Sequence, residues 1–439
     1  MGTPIHIKKI ILFSCRTMLW GVVGGFLLLY VRCANSGQMP EEEVQDPQTL
    51  SSWLAQTTEN RVPLLSTSFA ATPLTLAAAN QAITALVEDH QNTMEARYGS
   101  QWNARVLEMN QLRMPFYYRH FGTPSSEGRS LYISLHGGGG TTAEVNDQQY
   151  NNQKQLYNDT MMTLEGMYLA ARAPTNTWDL WHQAHVDDFL GVLIQLAVIQ
   201  ENVNPNKVYL LGYSAGGDGV YQLAPRMADR WAAAAMMAGH PNDASPLGLK
   251  NTPFTIHMGA LDSAYDRNLK AQEWQTLLGQ LQANAPSSYI HEVQLHQGLG
   301  HWMNLQDATA LPWMAQYTRN PFPTEVVWKQ DDRHHTRFYW LGVPANQTQT
   351  GAEVIASYDR TSNSINIEAN DSPTLYLYLN DAMLDLDQPI SIRFQGNEIA
   401  NKVFERTTAT LYESLQERGD AAMVYSVKIG IRQNSSLIE

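Results

Sequence analysis

Between residues 111 and 322, short apolar runs alternate with longer amphipathic stretches. This alternation restricts the fold more than any other feature. "RMPFYYRHF", "SLYISLH", "GMYLAARAP", "KVYLLGY", "AAAAMMAG", "TPFTIHMG" and "YIHEVQLHQ" read as strands. "VDDFLGVLIQLAVIQENV" and the stretch at about 266–283 read as helices between them. Strands separated by helices join through crossovers, so the expected class is α/β: a mostly parallel sheet with helices on both faces. Two regions flank it. Upstream, Leu76, Ala79, Ile83, Leu86 and Val87 recur at helical spacing, which predicts a helical appendage that Gly99 ends. Downstream of "NPFP", runs such as "EVIASYD", "SINIEA" and "TLYLYLN" alternate with period two, which predicts a β-rich domain, a sandwich, packed on the α/β part. The expected organisation is 1–36 export segment, 37–110 linker and helical appendage, 111–322 α/β domain and 323–439 β-rich domain.

The chain has 439 residues, 44% of them hydrophobic, enough to bury large cores. A formal charge of −13 argues against a nucleic-acid partner, which would need clustered Lys and Arg. The only cysteines, Cys15 and Cys33, precede the α/β region. From Ala34 onward there is therefore no disulfide, no thiolate metal ligand and no cysteine nucleophile. The N-terminus carries Lys8 and Lys9, an apolar run from Leu19 to Val31, then small Ala34 and Ser36. That pattern predicts a cleaved export signal. The alternative is a retained membrane anchor over Ile10 to Val31, interrupted by Arg16. The expected location is outside the cytoplasm: periplasmic, secreted or membrane-anchored.

The chemistry concentrates where strands break into glycine. "GYSAGG" places Ser214 between Gly212 and Gly216, after an apolar strand and before a helix-capable segment. A serine on such a turn is presented as a nucleophile, with the helix N-terminus behind it favouring negative charge. "LYISLHGGGG" ends a second strand in glycines whose N–H groups suit an oxyanion. Gly138 is the preferred donor, with Gly137 or Gly139 as alternatives, together with the N–H of Ala215. A serine needs a base, and for this turn type the acid and then the histidine follow it in the chain. Asp262, in "MGALD", and His301, in "GLGHWMN", hold that order. Asp243 is the substitute acid, and Asp266 is expected to face solvent. His291 and His296 fall in a strand and read as packing residues. "TWDLWHQAHVDD" gathers Trp178, Trp181, His182, His185, Asp187 and Asp188. Two histidines at i, i+3 would suit a metal, but without a third ligand a pocket wall or packed corner is preferred. Asp218 is expected to cap the helix after Ser214, with contact to a substrate cation as the alternative. Candidate substrate-pocket residues are thus His136, Tyr213, Trp181, His182, Asp218 and Trp302. No metal or cofactor is expected.

At "LHGGGG", "KVYLLGYSAGG", "MGALD" and "GHW" the chain resembles the α/β-hydrolase superfamily. It is most similar to the esterase-like branch that includes poly(3-hydroxybutyrate) depolymerases and feruloyl esterases. The resemblance implies a serine hydrolase acting on small-molecule or polymer esters, with Ser214, Asp262 and His301 as its triad. The elbow is also similar to those of prolyl-oligopeptidase-type peptidases, which leaves peptide cleavage as the alternative. A binding protein on a hydrolase scaffold is the third reading. Many exported relatives carry disulfides, and here the α/β region has no thiol.

Overall fold

A computed structural model describes residues 48–433 and 435–438. The expected export segment, residues 1–36, and both cysteines lie outside them. Among the described residues, no helix is long and apolar enough to cross a membrane.

The α/β region is an eight-stranded sheet: β1 (Val106–Met109), β2 (Leu112–Phe121), β3 (Arg129–Leu135), β4 (Gly166–Ala171), β5 (Val203–Tyr213), β6 (Ala233–Met237), β7 (Phe254–Gly259) and β8 (His291–His296). Its spatial order is β1-β2-β4-β3-β5-β6-β7-β8. β2 runs antiparallel to both neighbours, and all later pairings are parallel. In register, Ile133 stands beside Leu169 and Leu210. These three enter one buried core, whereas Tyr132, Tyr168 and Tyr209 enter another on the opposite face. A sheet buried on both faces explains why the strand sequences are nearly continuous apolar runs.

α1 (Leu76–Ala104), α2 (Ala143–Gln153), α3 (Ala184–Glu201), α4 (Ala215–Arg226) and α5 (Arg267–Asn284) cover those faces. Residues of α1, α3, α4 and α5 join the first core. α2 contributes Tyr150 to the second. The sheet with helices on both faces is as expected.

The expected stop of the first helix at Gly99 is corrected. α1 continues through Gly99 to Ala104, and Arg105 ends it in the left-handed region at φ 60°. Buried Tyr98 and Trp102, one turn apart, hold the last turns against the sheet, so packing outweighs the helix-breaking tendency of one glycine.

Downstream, two five-stranded sheets share one apolar core. Val326, Val354, Ile365 and Ile392 come from one sheet, and Leu341, Leu377, Ile429 and Ile431 from the other. A helix, α6 (Thr408–Arg418), closes one side; Thr407 caps its start and Gly419 ends it at φ 59°. Leu411 and Leu415 of α6 pack with Ala79, Ala82 and Leu86 of α1. The N-terminal helix is thus tied to the C-terminal sandwich as well as to the α/β sheet.

Candidate active site

β5 delivers Ser214 at the carboxyl edge of the sheet, in a turn with φ 58° and ψ −121°. A non-glycine residue pays strain to sit there, and the surroundings must enforce it. They do so by close approach. A Cβ on Gly212 would lie 2.2 Å from the Gly216 oxygen, and one on Gly216 would lie 2.1 Å from the Leu135 oxygen. The Ser214 N–H is held by the Met237 carbonyl at 2.9 Å. Both glycines of the motif are therefore steric requirements.

The structure brings Ser214, His301 and Asp262 together. Ser214 Oγ lies 2.9 Å from His301 Nε2, and His301 Nδ1 lies 2.7 Å from Asp262 Oδ2. With a neutral ring, Nδ1–H donates to the carboxylate and Nε2 accepts from the serine. Asp262 is 3% exposed and leaves β7 in a tight turn, with Arg267 Nη1 3.9 Å from its other oxygen. The His301 loop is anchored by Tyr213, whose hydroxyl donates to the His301 carbonyl at 2.6 Å and accepts the Met303 N–H at 3.0 Å. Asp243 is engaged elsewhere, accepting from Gln222 Nε2 at 3.1 Å, and Asp266 faces solvent. His296 is buried against His257, and His291 bonds the Tyr289 carbonyl.

The glycine loop after β3 passes beside the serine: a Cβ on Gly137 would lie 3.1 Å from Ser214 Cβ. Gly139 is excluded as a free donor, because its N–H goes to Asn146 Oδ1 at 3.0 Å. Gly138 has φ 112°, which disfavours any side chain. The Ala215 N–H heads α4 and belongs to the first turn, whose donors have no intrahelical acceptor.

His136 is corrected from pocket wall to internal strut. It is fully buried, and burial pulls its imidazole down to about 4. Nε2 accepts the Ala173 N–H at 3.1 Å, which leaves Nδ1–H to donate to the Gly137 carbonyl at 2.5 Å. The C=O and N–H of one trans peptide point in opposite directions. Clamping the Gly137 oxygen therefore fixes where the Gly138 N–H points. Trp181 is corrected in the same way: it is fully buried and donates to the His136 carbonyl at 2.9 Å.

A cleft of about 670 Å³ opens at the serine. Tyr213 and Trp302 line it with Gln149, Asn151, Asn152 and Leu156. Sequence reasoning missed this amide row, and also Asn146, which braces the glycine loop through both of its amide atoms. The stretch read only as polar and helical, and nothing in it marks which side chains turn inward.

His182 and Asp218 do not line this cleft. They line a second cavity of about 520 Å³, with Trp178 and Tyr265. Asp218 stands in the first turn of α4, and its Oδ1 also accepts the His240 N–H at 2.6 Å, which ties the loop after β6 to α4. Burial pushes its carboxyl up to about 6, partly offset by that bond. Burial also draws His182 down to about 4. His185 packs edge-on against Phe189.

No family model matches the chain. No curated protein matches it either. Among solved structures it is similar to a thermostable esterase, at 15% identity over 49% of this chain and 62% of that one, with a TM-score of 0.39. The chain thus spans less than two thirds of that protein. It is also similar to LpqC, a poly(3-hydroxybutyrate) depolymerase from Bordetella parapertussis (14% identity, 48% and 87% covered, TM-score 0.37). A third is Est1E from Butyrivibrio proteoclasticus (15% identity, 48% and 95% covered, TM-score 0.32). On its own topology, a mostly parallel eight-stranded sheet with a serine elbow between β5 and α4, the chain has an α/β-hydrolase fold with an added C-terminal β sandwich.

Proposed function

We propose that this chain is a serine hydrolase that cleaves carboxylic esters through an acyl-enzyme on Ser214. The observation that carries the reading is the continuous hydrogen-bonded chain Ser214–His301–Asp262 at the mouth of a cleft. His301 Nε2 takes the Ser214 proton as Oγ attacks the ester carbonyl carbon. Asp262 holds the ring and stabilises the imidazolium. The carbonyl oxygen becomes an oxyanion, which the N–H groups of Ala215 and Gly138 are suited to meet. Collapse breaks the C–O bond, and His301 gives its proton to the departing alkoxide. Water then attacks the acyl-enzyme by the same route and releases the acid.

The cleft lining carries no carboxylate, lysine or arginine, only amides, Tyr213, Trp302, Leu156 and the His301 ring itself. This favours uncharged esters. A panel of p-nitrophenyl esters with neutral and charged acyl groups, beside aminoacyl p-nitroanilides, tests the reading. Turnover is expected for the neutral esters, with covalent labelling by a fluorophosphonate. Anilide turnover exceeding ester turnover would favour a peptidase, and absence of labelling would end the serine mechanism. We also propose that residues 1–36 export or anchor the enzyme, which cell fractionation checks; activity confined to the cytoplasm would reject it.

A further inference from the structure

Gly138, the proposed oxyanion donor, has φ 112° and no side chain of its own to restrain it. The two peptide planes that flank it are restrained from outside. The plane before it is held by its carbonyl: Gly137 O accepts from His136 Nδ1 at 2.5 Å. The plane after it is held by its N–H: Gly139 N donates to Asn146 Oδ1 at 3.0 Å. Fixing both planes fixes the turn at Gly138 and the aim of its N–H.

Both supports lead back to one side chain. Arg172 directly follows β4 and is 8% exposed. Its Nη1 donates to the Ala173 carbonyl at 2.7 Å, and the Ala173 N–H donates to His136 Nε2 at 3.1 Å. Its Nη2 donates to Asn176 Oδ1 at 2.5 Å, and the same oxygen accepts from Asn146 Nδ2 at 2.9 Å. Asn146 Nδ2 also donates to the Gly139 carbonyl at 3.0 Å. Arg172 Nε is taken by Asp147, the neighbour of Asn146 on α2, at 2.8 Å.

A guanidinium only donates, and it keeps its charge at any working pH. It therefore sets the direction of the bonds beyond it. The Asn176 atom that meets Arg172 must be the oxygen. The Asn146 atom that meets this oxygen must then be the amide nitrogen, which turns Oδ1 towards the Gly139 N–H. On the other branch the Ala173 N–H makes Nε2 the acceptor and leaves Nδ1–H to donate. Burial, with the charge of Arg172 added, holds the His136 ring neutral for that role.

We infer that Arg172 is a positioning residue of the oxyanion loop, holding Gly138 from both sides through Ala173–His136 and through Asn176–Asn146. The inference rests on the serine-hydrolase reading. Neither Arg172 nor Asn176 lines the catalytic cleft, so their loss should reach the reaction through the loop and leave substrate binding alone.

Steady-state kinetics of the full chain on a neutral p-nitrophenyl ester, beside inhibition by phenylboronate, tests this. Boron bonds to Ser214 Oγ as His301 takes the proton, and the tetrahedral adduct sets an oxygen where the oxyanion would lie, so its affinity reads the loop without turnover. Asn176 is exposed, and Asn176→Ala cuts one branch without opening the core. It is expected to lower kcat about 5- to 20-fold and to weaken phenylboronate by a similar factor, with KM and thermal midpoint near the parent. Arg172→Met cuts both branches and should lower kcat about 100-fold. The double variant should lose less than the product of the two, because Asn176 acts on one of the branches that Arg172 holds. A parent that turns over esters while Asn176→Ala matches its kcat, or shifts KM or the thermal midpoint in place of kcat, would overturn this inference alone, as would fully multiplicative losses. A parent with no ester turnover would remove the hydrolase reading, and this inference with it.

Discussion

The edge of the sheet that carries Ser214 and the seam with the C-terminal sheets that carries Arg226 solve the same problem in different ways. Each must hold polar groups in one set geometry. At the sheet edge the fixing is done by backbone and neutral groups: two glycines pressed against carbonyls, a neutral His136 and the amide of Asn146. The charge beside the serine's histidine is that of Asp262, with Arg267 Nη1 3.9 Å from it. At the seam the fixing is done by ion pairs, with Arg226 gripping Asp187 through two nitrogens while His335 reaches the same carboxylate at 2.8 Å. Neutral, sterically fitted groups hold one geometry over a wide pH range, which suits a reacting centre. Buried ion pairs are costly to break, which suits a seam where the α/β sheet meets the C-terminal sheets.

Single substitutions should therefore act on different quantities in the two regions. The largest effect is expected from Ser214→Ala, which should lower ester turnover by roughly 10⁴-fold or more, since triad members fail as a unit. Circular dichroism and thermal midpoint should stay with the parent; substantial turnover in the purified variant would remove Ser214 from the mechanism. Asp187→Ala should do the reverse. Arg226, 4% exposed, would lose its bidentate partner, and removing one member of a buried pair costs about 3–5 kcal/mol. Denaturant unfolding reads that loss, while kcat of the folded enzyme should hold. A fall in kcat with no loss of stability would show that the seam and the serine are not separable. His136→Leu should fall between these cases. Freeing the Gly137 carbonyl misaims one N–H, so kcat should drop about 10- to 100-fold with KM little changed, below the cost of deleting a whole oxyanion donor. A KM effect alone would return His136 to a binding role.

This division also explains what the sequence reveals. The strand–helix alternation and the order Ser214, Asp262, His301 are visible because both rest on local signals: apolar runs, glycine breaks, and an acid and a histidine just past strand ends. The roles of His136, Trp181 and Asp218 are not visible, since each depends on which neighbour the fold brings up. Adjacency to a motif places His136 near the serine, but only the Ala173 N–H and the Gly137 carbonyl make it a strut. Gly99 looks like a stop because its neighbours' burial cannot be read locally. The ion pairs of the seam join residues far apart in the chain, 39 positions for Asp187 and Arg226 and 148 for Asp187 and His335, and no spacing rule announces them.

The smallest effect is the most discriminating, because two groups near the serine titrate in opposite senses. His136 has a folded value of about 4 against an ordinary 6.5, so the native state binds fewer protons than the unfolded chain between them. Stability from His136 is therefore lost as pH falls from about 6.5 towards 4. Asp218 has a folded value of about 6 against an ordinary 3.8, so the native state binds more protons in nearly the same interval. Its contribution is lost as pH rises from about 4 through 6. The parent profile sums both and conceals each. Asp218→Asn keeps an oxygen for the His240 N–H and removes one titration, and subtracting parent from variant cancels every histidine. The difference should shift in favour of the variant between pH 4.5 and pH 7, by on the order of 2 kcal/mol. Urea midpoints at the two pH values measure it. A difference that stays flat would mean that Asp218 titrates alike in the folded and unfolded chains, and that the loop after β6 is held to α4 without a buried carboxyl.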